Sequence, residues 1–394
     1  MPLNLKLPTA AGSLHNYTLC GSVPSRPTSR QPFNRVAYSA AHVVADPLAV
    51  VDPWLQCAVD WDATIAYRRH LWSLGLGVAE AMDTAQRGMG LDWPTSLELI
   101  RRTLDAAQDV PGALVASGCG TDHLVLDDVK TVDDVIAAYE EQFEAIENLG
   151  GKLIIMASRA LARVAQSPAD YERVYDRILS QVQQPVVLHW LGDMFDPALK
   201  GYWGNTDVDQ AMNTALGIIE AHAKKVDGIK ISLLDKDKEI AMRRRLPPGV
   251  RMYTGDDFNY AELIAGDGFG TDTVNGQSDA LLGIFDAIAP AASLALAALA
   301  EGKAETFHAI LAPTVPLSRH IFKAPTRYYK TGVVFMAWLN GHQNHFSMIG
   351  GQQSTRSIQH LAELFRLADA AHLLEQPEMA VQRMKNLMSI HGVE

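Results

Sequence analysis

The sequence predicts an α/β fold, a TIM or (β/α)₈ barrel in which eight parallel strands form a closed sheet surrounded by helices. About eight short apolar runs recur along the chain, and segments with helical spacing follow them. The runs lack strict alternation of polar and apolar residues, which is typical of parallel strands that are buried on both faces. No glycine-rich turn follows the first run, as it usually does in an open doubly wound sheet, so a closed barrel is favoured.

The predicted elements follow one another in the order that a barrel requires. The eight predicted strands are 35–41, 75–82, 112–118, 152–157, 185–191, 226–232, 250–254 and 268–274. Segments with helical periodicity lie between them, as at 132–148 and 169–181. Beyond the last strand, four more apolar periodic segments predict helices, which is more than one barrel unit requires. These segments are 278–301, 304–322, 329–340 and 357–373.

The chain is expected to have three parts. Residues 1–33 are rich in Pro, Ser, Thr and Asn without sustained periodicity, which predicts an irregular N-terminal arm that caps the barrel or reaches a partner subunit. The barrel is expected over 34–300, and a helical C-terminal extension over 301–394.

Composition excludes several classes of partner. The chain has 34 Lys and Arg residues against 45 Asp and Glu, and its net charge of -11 is spread along the sequence. A protein that binds nucleic acid or anionic lipid needs a basic patch, so neither partner is expected. With 48% hydrophobic residues, the chain has enough apolar material for the core of a large globular protein.

Cysteine usage and the most apolar segment indicate a cytoplasmic protein. The three cysteines, Cys20, Cys57 and Cys119, lie far apart and form no CxxC pair, so no disulfide framework or cysteine zinc site is predicted. The segment 280–300 is interrupted by Asp286 and Pro290, so no membrane span is expected. The first residues lack the pattern of a secretory leader.

Lys230 is the residue that most strongly indicates chemistry. It lies inside the apolar run 226–232, near the end where the chain leaves for the next helix, and in a barrel that end is the catalytic mouth. Burial lowers the pKa of a lysine and leaves more neutral amine to attack a carbonyl carbon, which imine formation requires. The alternative is that Lys230 forms a buried ion pair or reaches solvent along its aliphatic stem.

Around this lysine the sequence resembles the dihydrodipicolinate synthase and N-acetylneuraminate lyase family. The stretch VDGIKISLLDKDKEIAMRRRLPPGVRMYTGDD at 226–257 is similar to the family's sixth and seventh strands, with their glycine-x-lysine element. Segments at 75–104, 184–192 and 266–322 are similar to its second strand, fifth strand and eighth strand with helical tail. The resemblance covers roughly 35–340. It implies a class I lyase or aldolase with Lys230 as the imine lysine, no cofactor, and a homodimer or homotetramer.

The sequence departs from the family where a 2-oxo acid would bind. The family's Gly-Thr-Thr-Gly-Glu run corresponds here to residues 82–86, in which Thr84 matches and Asp83 does not. Asp83 would repel a carboxylate in a dry pocket, and would instead accept hydrogen bonds from substrate hydroxyl groups. Two alternatives stay open, because Asp83 is also a good helix cap and Arg87 could neutralise it and restore a carboxylate site.

Two further positions differ from the family. His189 corresponds to the fifth-strand tyrosine that shuttles protons, and a histidine can both take and give a proton near neutral pH. It is otherwise a satisfied histidine of the core. Arg159 stands where the family has a fourth-strand aromatic element, and it either pairs with an anionic group of the substrate or sits at the rim beside an acid.

Asp256 and Asn275 complete the set of expected substrate-binding residues. Asp256 ends the seventh strand, where it either binds hydroxyl groups or caps the helix predicted near Tyr260. Asn275 follows the predicted eighth strand, where the family lines its pocket, and a turn residue is the plainer alternative. The sequence therefore predicts a lyase or aldolase for a small, hydroxylated, sugar-like oxo compound.

Two other classes compete with the lyase. A metal-dependent isomerase or hydrolase of a sugar-like substrate would use carboxylates and imidazoles near strand ends, namely His42, Asp83, His123, His189 and Asp256. None of these has a diagnostic spacing such as HExxH, so no metal is predicted. The third class is a barrel that only binds a ligand. For His342 and His345, in the C-terminal extension, the sequence predicts no chemistry.

Overall fold

Eight parallel strands close into a barrel, as predicted. The computed structural model describes residues 3–20, 32–266 and 276–393. The barrel strands are β3 (Ala37–Ala40), β4 (Gly77–Glu80), β5 (Val115–Cys119), β6 (Lys152–Ile155), β7 (Val186–Leu191), β8 (Val226–Ser232), β9 (Arg251–Thr254) and β10 (Asp279–Leu282). They pair in chain order, and β10 closes the ring against both β9 and β3.

The eighth strand is not where the sequence analysis placed it. The first seven observed strands overlap their predicted runs, whereas the predicted strand 268–274 lies outside the described residues. The strand that closes the barrel is β10, inside a segment that was predicted to be helical. Only Gly283 separates its last residue, Leu282, from the helix that follows, and periodicity alone cannot separate a short buried strand from a buried helix.

Helices surround the barrel and continue beyond it. Those from α1 to α8 are α1 (Trp61–Ser73), α2 (Trp93–Gln108), α3 (Val132–Asn148), α4 (Arg159–Val164), α5 (Pro168–Gln181), α6 (Val208–Ala221), α7 (Lys236–Arg243) and α8 (Tyr260–Ala265). The remaining ones are α9 (Ile284–Ala287), α10 (Ala289–Ala300), α11 (Ala304–Leu311), α12 (Thr314–Ile321), α13 (Tyr329–Leu339), α14 (Ile358–Ala370) and α15 (Pro377–Ile390). The helical C-terminal region is therefore confirmed. None of the helices within the described ranges has the length and apolar character needed to cross a bilayer.

Local sequence explains where these helices begin. Thr131 precedes α3 and accepts a hydrogen bond from the Asp134 backbone, while the Asp134 carboxylate accepts one from the Thr131 backbone. This reciprocal capping box satisfies two backbone groups that would otherwise lack partners at the helix start. The observed helix coincides with the predicted segment 132–148.

The N-terminal arm is more regular than the sequence analysis predicted. Strands β1 (Asn4–Pro8) and β2 (Leu14–Thr18) form an antiparallel hairpin, which contacts α14 and α15 of the C-terminal extension. The Tyr17 hydroxyl donates to the Asp369 carboxylate at 2.7 Å, and Leu7 is fully buried. In strands as short as these, polar and apolar residues alternate over too few positions for the pattern to be recognised in a polar segment.

The alternation of side chains along the strands decides which residues reach the barrel interior. Ile229 and Ile231 of β8 belong to the large apolar cluster between strands and helices. Val187 of β7 belongs to a smaller cluster, made almost entirely of strand residues, that fills the barrel interior. Because successive side chains of a strand point to opposite faces, His189 on β7 and Lys230 on β8 both point inward.

Candidate active site

His189 and Lys230 lie side by side inside the barrel. Their Cα atoms are direct partners in the parallel pairing of β7 with β8. Both side chains are buried, with 1% of His189 and 7% of Lys230 exposed. Both residues lie in the second half of their strands, towards the carboxyl ends where the active sites of such barrels are found. The structure thus brings together the two residues that the sequence analysis assigned to catalysis.

Lys230 carries a buried amine that has no partner among the residues that the structure describes. Within the described residues, no hydrogen bond or ion pair reaches its side chain. Burial lowers the pKa of Lys230, and the negative charges of Asp83 and Asp257 oppose this change only in part. The buried ion pair considered for Lys230 is therefore not formed within hydrogen-bonding distance. A neutral amine is the nucleophilic form of lysine.

The glycine that follows β9 leaves room for this lysine. A Cβ atom on Gly255 would lie 2.8 Å from Cε of Lys230 and 2.3 Å from Oγ of Ser232. Both distances are far below ordinary van der Waals contact, so any side chain at position 255 would displace the lysine or the serine. The absence of a side chain at this position is a requirement of the site.

His189 is held as a neutral base. Burial lowers the pKa of His189 well below its usual value, and the charge of Lys230 acts in the same direction. Its Nε2 lies 3.3 Å from Oγ of Ser232, and its Nδ1 is buried without a hydrogen-bond partner among the described residues. An imidazole that is neutral and incompletely satisfied can accept a proton from a bound substrate.

Asp257, not Asp256, is the carboxylate that faces Lys230. Burial raises the pKa of Asp257 to about 7, while the Ile284 backbone N–H, at 2.8 Å, and the charge of Lys230 act against this rise. Asp256 accepts hydrogen bonds from the backbones of Phe258 and Asn259 instead, at 2.8 and 3.0 Å. Asp256 therefore stabilises the turn before α8. This is similar to the helix-capping role that is the alternative to binding substrate hydroxyl groups.

Asp83 and Thr84 lie on a short 3₁₀ turn after β4, with different surroundings. The Asp83 side chain has no hydrogen bond or ion pair in the described part of the chain, and it does not cap α2, whose N-cap is Asp92. Thr84 is buried, and its hydroxyl lies 2.8 Å from that of Tyr329 on α13. Asp83 therefore stays available to a ligand, whereas Thr84 is engaged by the C-terminal extension.

The two arginines near the site are both paired. Arg159 forms an ion pair with Asp196, and 37% of its side chain is exposed. Arg87 binds Asp122 with two nitrogens, Nε at 2.9 Å among them, and so does not neutralise Asp83 as one alternative required. Arg159 thus lies at the rim beside an acid, which is the alternative to its pairing with an anionic group of the substrate.

Lys330 is a second buried lysine that sequence reasoning missed. It lies on α13, and burial lowers its pKa to about 8, with the charge of Asp83 acting in the opposite direction. Its amine donates to the Arg327 carbonyl oxygen at 3.0 Å and lies 3.3 Å from the Met89 sulfur. Tyr329 and Lys330 were hidden in a periodic apolar segment, and nothing in that pattern shows that the helix approaches the site.

A cleft opens beside these residues. His189 and Asp83 line it together with the two ion pairs, whereas Lys230, the strand partner of His189, is not one of the lining residues. The lining residues are Asp83, Arg87, Gly88, Gly120, Thr121, Asp122, Leu124, Leu126, Met156, Ala157, Arg159, Ala160, His189, Leu191, Asp196 and Leu199. Asn275, predicted to bind substrate, lies outside the described residues.

The residues proposed for a metal-dependent barrel are engaged elsewhere. The His42 ring contacts the Asp286 carboxylate at 2.9 Å, and His123 contacts Gln142 at the same distance. Within the described residues, no three of His42, Asp83, His123, His189 and Asp256 come close enough to share one ion. In the described part of the chain, these five residues therefore do not form a metal centre.

The chain belongs to a recognised protein family. The family described as "Protein of unknown function (DUF993)" has a model that matches residues 5–393. No curated protein sequence is similar enough to this chain to give a match.

Solved structures of the dihydrodipicolinate synthase family are similar to this chain in fold. The 4-hydroxy-tetrahydrodipicolinate synthase from Methylacidiphilum fumariolicum SolV is 15% identical, with a TM-score of 0.63, covering 90% of this chain and 99% of that one. YagE, a prophage protein of the same family from E. coli K12 in complex with pyruvate, is 13% identical, with a TM-score of 0.62 and coverages of 92% and 99%. A monomeric dihydrodipicolinate synthase variant is 15% identical, with a TM-score of 0.62 and coverages of 86% and 97%.

These similarities confirm the predicted resemblance at the level of the fold. The match extends over nearly the whole length of each of these enzymes, so the barrel and its C-terminal helices share one architecture. At such low identity the likeness carries no information on substrate. A shared fold does not determine function, which depends on the side chains at the site.

Proposed function

We propose that this member of the DUF993 family is a class I lyase or aldolase. It makes or breaks a C–C bond in a small, hydroxylated oxo compound through an imine on Lys230. The observation that carries the proposal is the buried amine of Lys230, which has no partner among the described residues, beside the neutral imidazole of His189 at the barrel mouth. A buried amine without a partner costs stability, and a reactive lysine accounts for that cost.

The first step is imine formation. The neutral Nζ of Lys230 attacks the carbonyl carbon of the substrate, the carbonyl oxygen takes up two protons, and one water molecule leaves. The product is a protonated imine whose nitrogen withdraws electrons from the adjacent carbons. Asp83 and Asp257 would both stabilise that positive charge, since the charges of both already act on the Lys230 amine.

The second step breaks the C–C bond. His189 takes the proton from the hydroxyl group on the carbon β to the imine, the C–C bond breaks, and an aldehyde leaves. The electron pair of the broken bond forms an enamine with the Lys230 nitrogen. Protonation of the enamine carbon and addition of water then release the second product and restore the free amine. The reverse sequence makes the bond.

The charges around the cleft favour a neutral, hydroxylated substrate. The two arginines of the lining are each paired with an aspartate, which leaves Asp83 as a carboxylate without a partner in the described part of the site. A 2-oxo acid would place its carboxylate in the cleft that Asp83 lines, where the two negative charges would repel each other. Hydroxyl groups of a sugar-like compound would instead donate hydrogen bonds to Asp83.

A paired substrate screen tests this proposal. One set contains 2-oxo acids such as pyruvate, the other contains neutral hydroxylated ketones such as dihydroxyacetone, and each is supplied with a panel of aldehydes. We expect condensation products from the hydroxylated ketones and none from Lys230→Ala. Products from 2-oxo acids alone would overturn the substrate class but not the imine, whereas full activity in Lys230→Ala would overturn the imine itself.

We also propose that the protein assembles as a homodimer or homotetramer, as the family resemblance implies. The monomeric variant among the similar structures shows that this fold does not impose one assembly. Sedimentation velocity measures the state directly, and a single species with the mass of one 43.0 kDa chain would contradict the proposal.

A further inference from the structure

A second polar cavity lies between α1 and the C-terminal extension. It is lined by Tyr67 and His70 of α1, by His342, which follows α13, and by Glu375, which precedes α15. It shares no lining residue with the cleft that contains His189. Its volume of about 10 Å³ is close to the smallest space that holds a single water molecule. The cavity is therefore of the size of one ion and not of an organic substrate.

Three metal-binding side chains converge in this cavity. His70, His342 and Glu375 each offer one ligand atom, and these atoms all lie within 4.8 Å of one another. Nε2 of His342 lies 3.2 Å from Oε1 of Glu375. In a tetrahedral zinc site with bonds of about 2.0–2.1 Å, ligand atoms are separated by roughly 3.3 Å. This pair already has that spacing, and the other pairs, none longer than 4.8 Å, would reach it through shifts of at most about 1.5 Å.

The backbone around two of these side chains holds them in place. Helix α13 ends in a Schellman motif, in which His342 N–H donates to Ala337 at 3.0 Å and Gly341 N–H donates to Trp338 at 3.1 Å. Gly341 adopts the left-handed conformation (φ 84°) that this motif requires. The position of His342 is therefore fixed by the end of the helix and not by a flexible loop.

Asn340 fixes the segment that carries Glu375. Its side-chain amide donates to the Leu373 carbonyl oxygen at 2.9 Å, and its carbonyl oxygen accepts from the Glu375 backbone at 3.0 Å. The Glu375 side chain is only 8% exposed. A clamp of this kind orients a ligand in the way that outer-shell hydrogen bonds orient metal ligands in other proteins.

We propose that His70, His342 and Glu375 bind one zinc ion, or a similar divalent first-row metal. Two imidazoles and one carboxylate form a ligand set that zinc accepts, with a water molecule in the fourth position. The ion ties α1, a helix of the barrel, to two segments of the C-terminal extension. Its role is to stabilise that junction, and it takes no part in the chemistry at Lys230.

Zinc titration of the full chain tests this site. The protein is stripped with a chelator, and Zn²⁺ affinity is measured by competition with a chromogenic chelator for wild type, His342→Gln, Glu375→Gln and the control His308→Gln. His308 is an exposed histidine of α11. We expect one zinc per wild-type chain, an affinity at least about tenfold lower in the two ligand variants, and no change in the control.

Two outcomes of this titration would overturn the proposal: no stoichiometric binding to wild type, or equal affinity in wild type and both ligand variants. In either case the three side chains do not form a metal site. Because a variant can misfold, wild type is also loaded with Co²⁺. Visible d–d bands of tetrahedral Co²⁺, displaced by one equivalent of Zn²⁺, support the site, and their absence contradicts it. Wild type should also melt at a higher temperature with zinc than without it.

Discussion

Lys230 and Lys330 are both buried near Asp83, but they belong to two regions with different tasks. Lys230 lies on a barrel strand, and its amine has no partner within the described residues. Lys330 lies on a helix of the C-terminal extension, and its amine is held by the Arg327 carbonyl and the Met89 sulfur. Burial lowers the pKa of both lysines. What separates them is whether the amine is free to attack a substrate.

This comparison shows that burial alone does not identify a reactive lysine. The barrel strands bring Lys230 beside a proton acceptor, His189, whereas the extension secures Lys330 at the edge of the same site. The barrel strands, here called the floor, carry Lys230 and His189, each with a side-chain nitrogen that has no partner among the described residues. The C-terminal extension, here called the cover, carries Tyr329 and Lys330, whose polar groups already contact other residues.

Replacing each lysine by methionine gives the largest contrast. Methionine keeps the apolar stem but removes the amine, so Lys230→Met should lower kcat by roughly a thousandfold or more, because the covalent route is lost. Lys330→Met should lower it by less than about tenfold, since that amine only contacts protein groups. Steady-state kinetics on the substrate found by screening checks this. Equal losses in the two variants would remove the distinction between floor and cover.

Replacing His189 should separate imine formation from bond cleavage. His189→Gln keeps a polar side chain but no base, so the C–C step should slow by about 10²–10⁴-fold. The imine should still form, because Lys230 supplies its own neutral amine. Rapid-quench kinetics follow the imine and the aldehyde separately. If imine formation slows as much as cleavage does, His189 positions the lysine and does not move the proton of the substrate.

Filling the space at Gly255 should disturb the floor directly. In Gly255→Ala the new methyl group meets Ser232 and Lys230 at 2.3 and 2.8 Å, so the free energy of unfolding should fall by about 1–3 kcal/mol. Gly217 of α6 is the matched control, because no atom lies within 4 Å of a Cβ built there. Gly217→Ala should instead stabilise by about 0.5–1 kcal/mol through helix propensity. Urea unfolding measures both values, and similar changes in the two variants would contradict the crowding at Gly255.

The charge of Asp257 should set the pH at which Lys230 becomes reactive. An ionised Asp257 raises the pKa of Lys230 against the effect of burial. In Asp257→Asn this contribution is lost while that of Asp83 remains, so the pKa of Lys230 falls and neutral amine persists to lower pH. The acid limb of the pH profile for imine formation should therefore shift to lower pH. A shift in the other direction would mean that Asp257 acts on Lys230 through position and not through charge.

The smallest effect is expected at the rim. Arg159 is partly exposed and paired with Asp196, and exposed ion pairs contribute about 0–1 kcal/mol to stability. Arg159→Gln should therefore change the free energy of unfolding by less than about 1 kcal/mol and leave kcat nearly unchanged. A large increase in KM with normal kcat would show instead that Arg159 binds an anionic group of the substrate.

Strand patterns were sufficient to predict most of the fold and to place Lys230 near the barrel mouth. The catalytic roles of Lys230 and His189 stay predictions, and that of His189 depends on the family resemblance. A short apolar run with a lysine in its second half indicates a strand that ends at the barrel mouth, and β8 coincides with the predicted run 226–232. The eighth strand was misplaced because β10 is short and only Gly283 separates it from α9, so the two look like one apolar segment. The division of the chain at residues 33 and 300 stays a prediction.

Residues brought in from other parts of the chain could not be predicted. Tyr329 and Lys330 reach the site only because α13 approaches the turn after β4, and helical periodicity carries no information about tertiary contacts. Asp257 was passed over for Asp256 because the pair lies in a turn, where neighbouring side chains point in different directions. His342 also meets its neighbours only in the folded chain.

Chemical trapping of the imine tests directly whether Lys230 binds the substrate covalently. The protein is incubated with the hydroxylated ketone or 2-oxo acid that it accepts, reduced with borohydride, digested and analysed by mass spectrometry. We predict an added mass of the reduced substrate on the peptide that contains Lys230, present in Lys330→Met and absent in Lys230→Met. An adduct on Lys330, or turnover without an adduct on Lys230, would contradict the account.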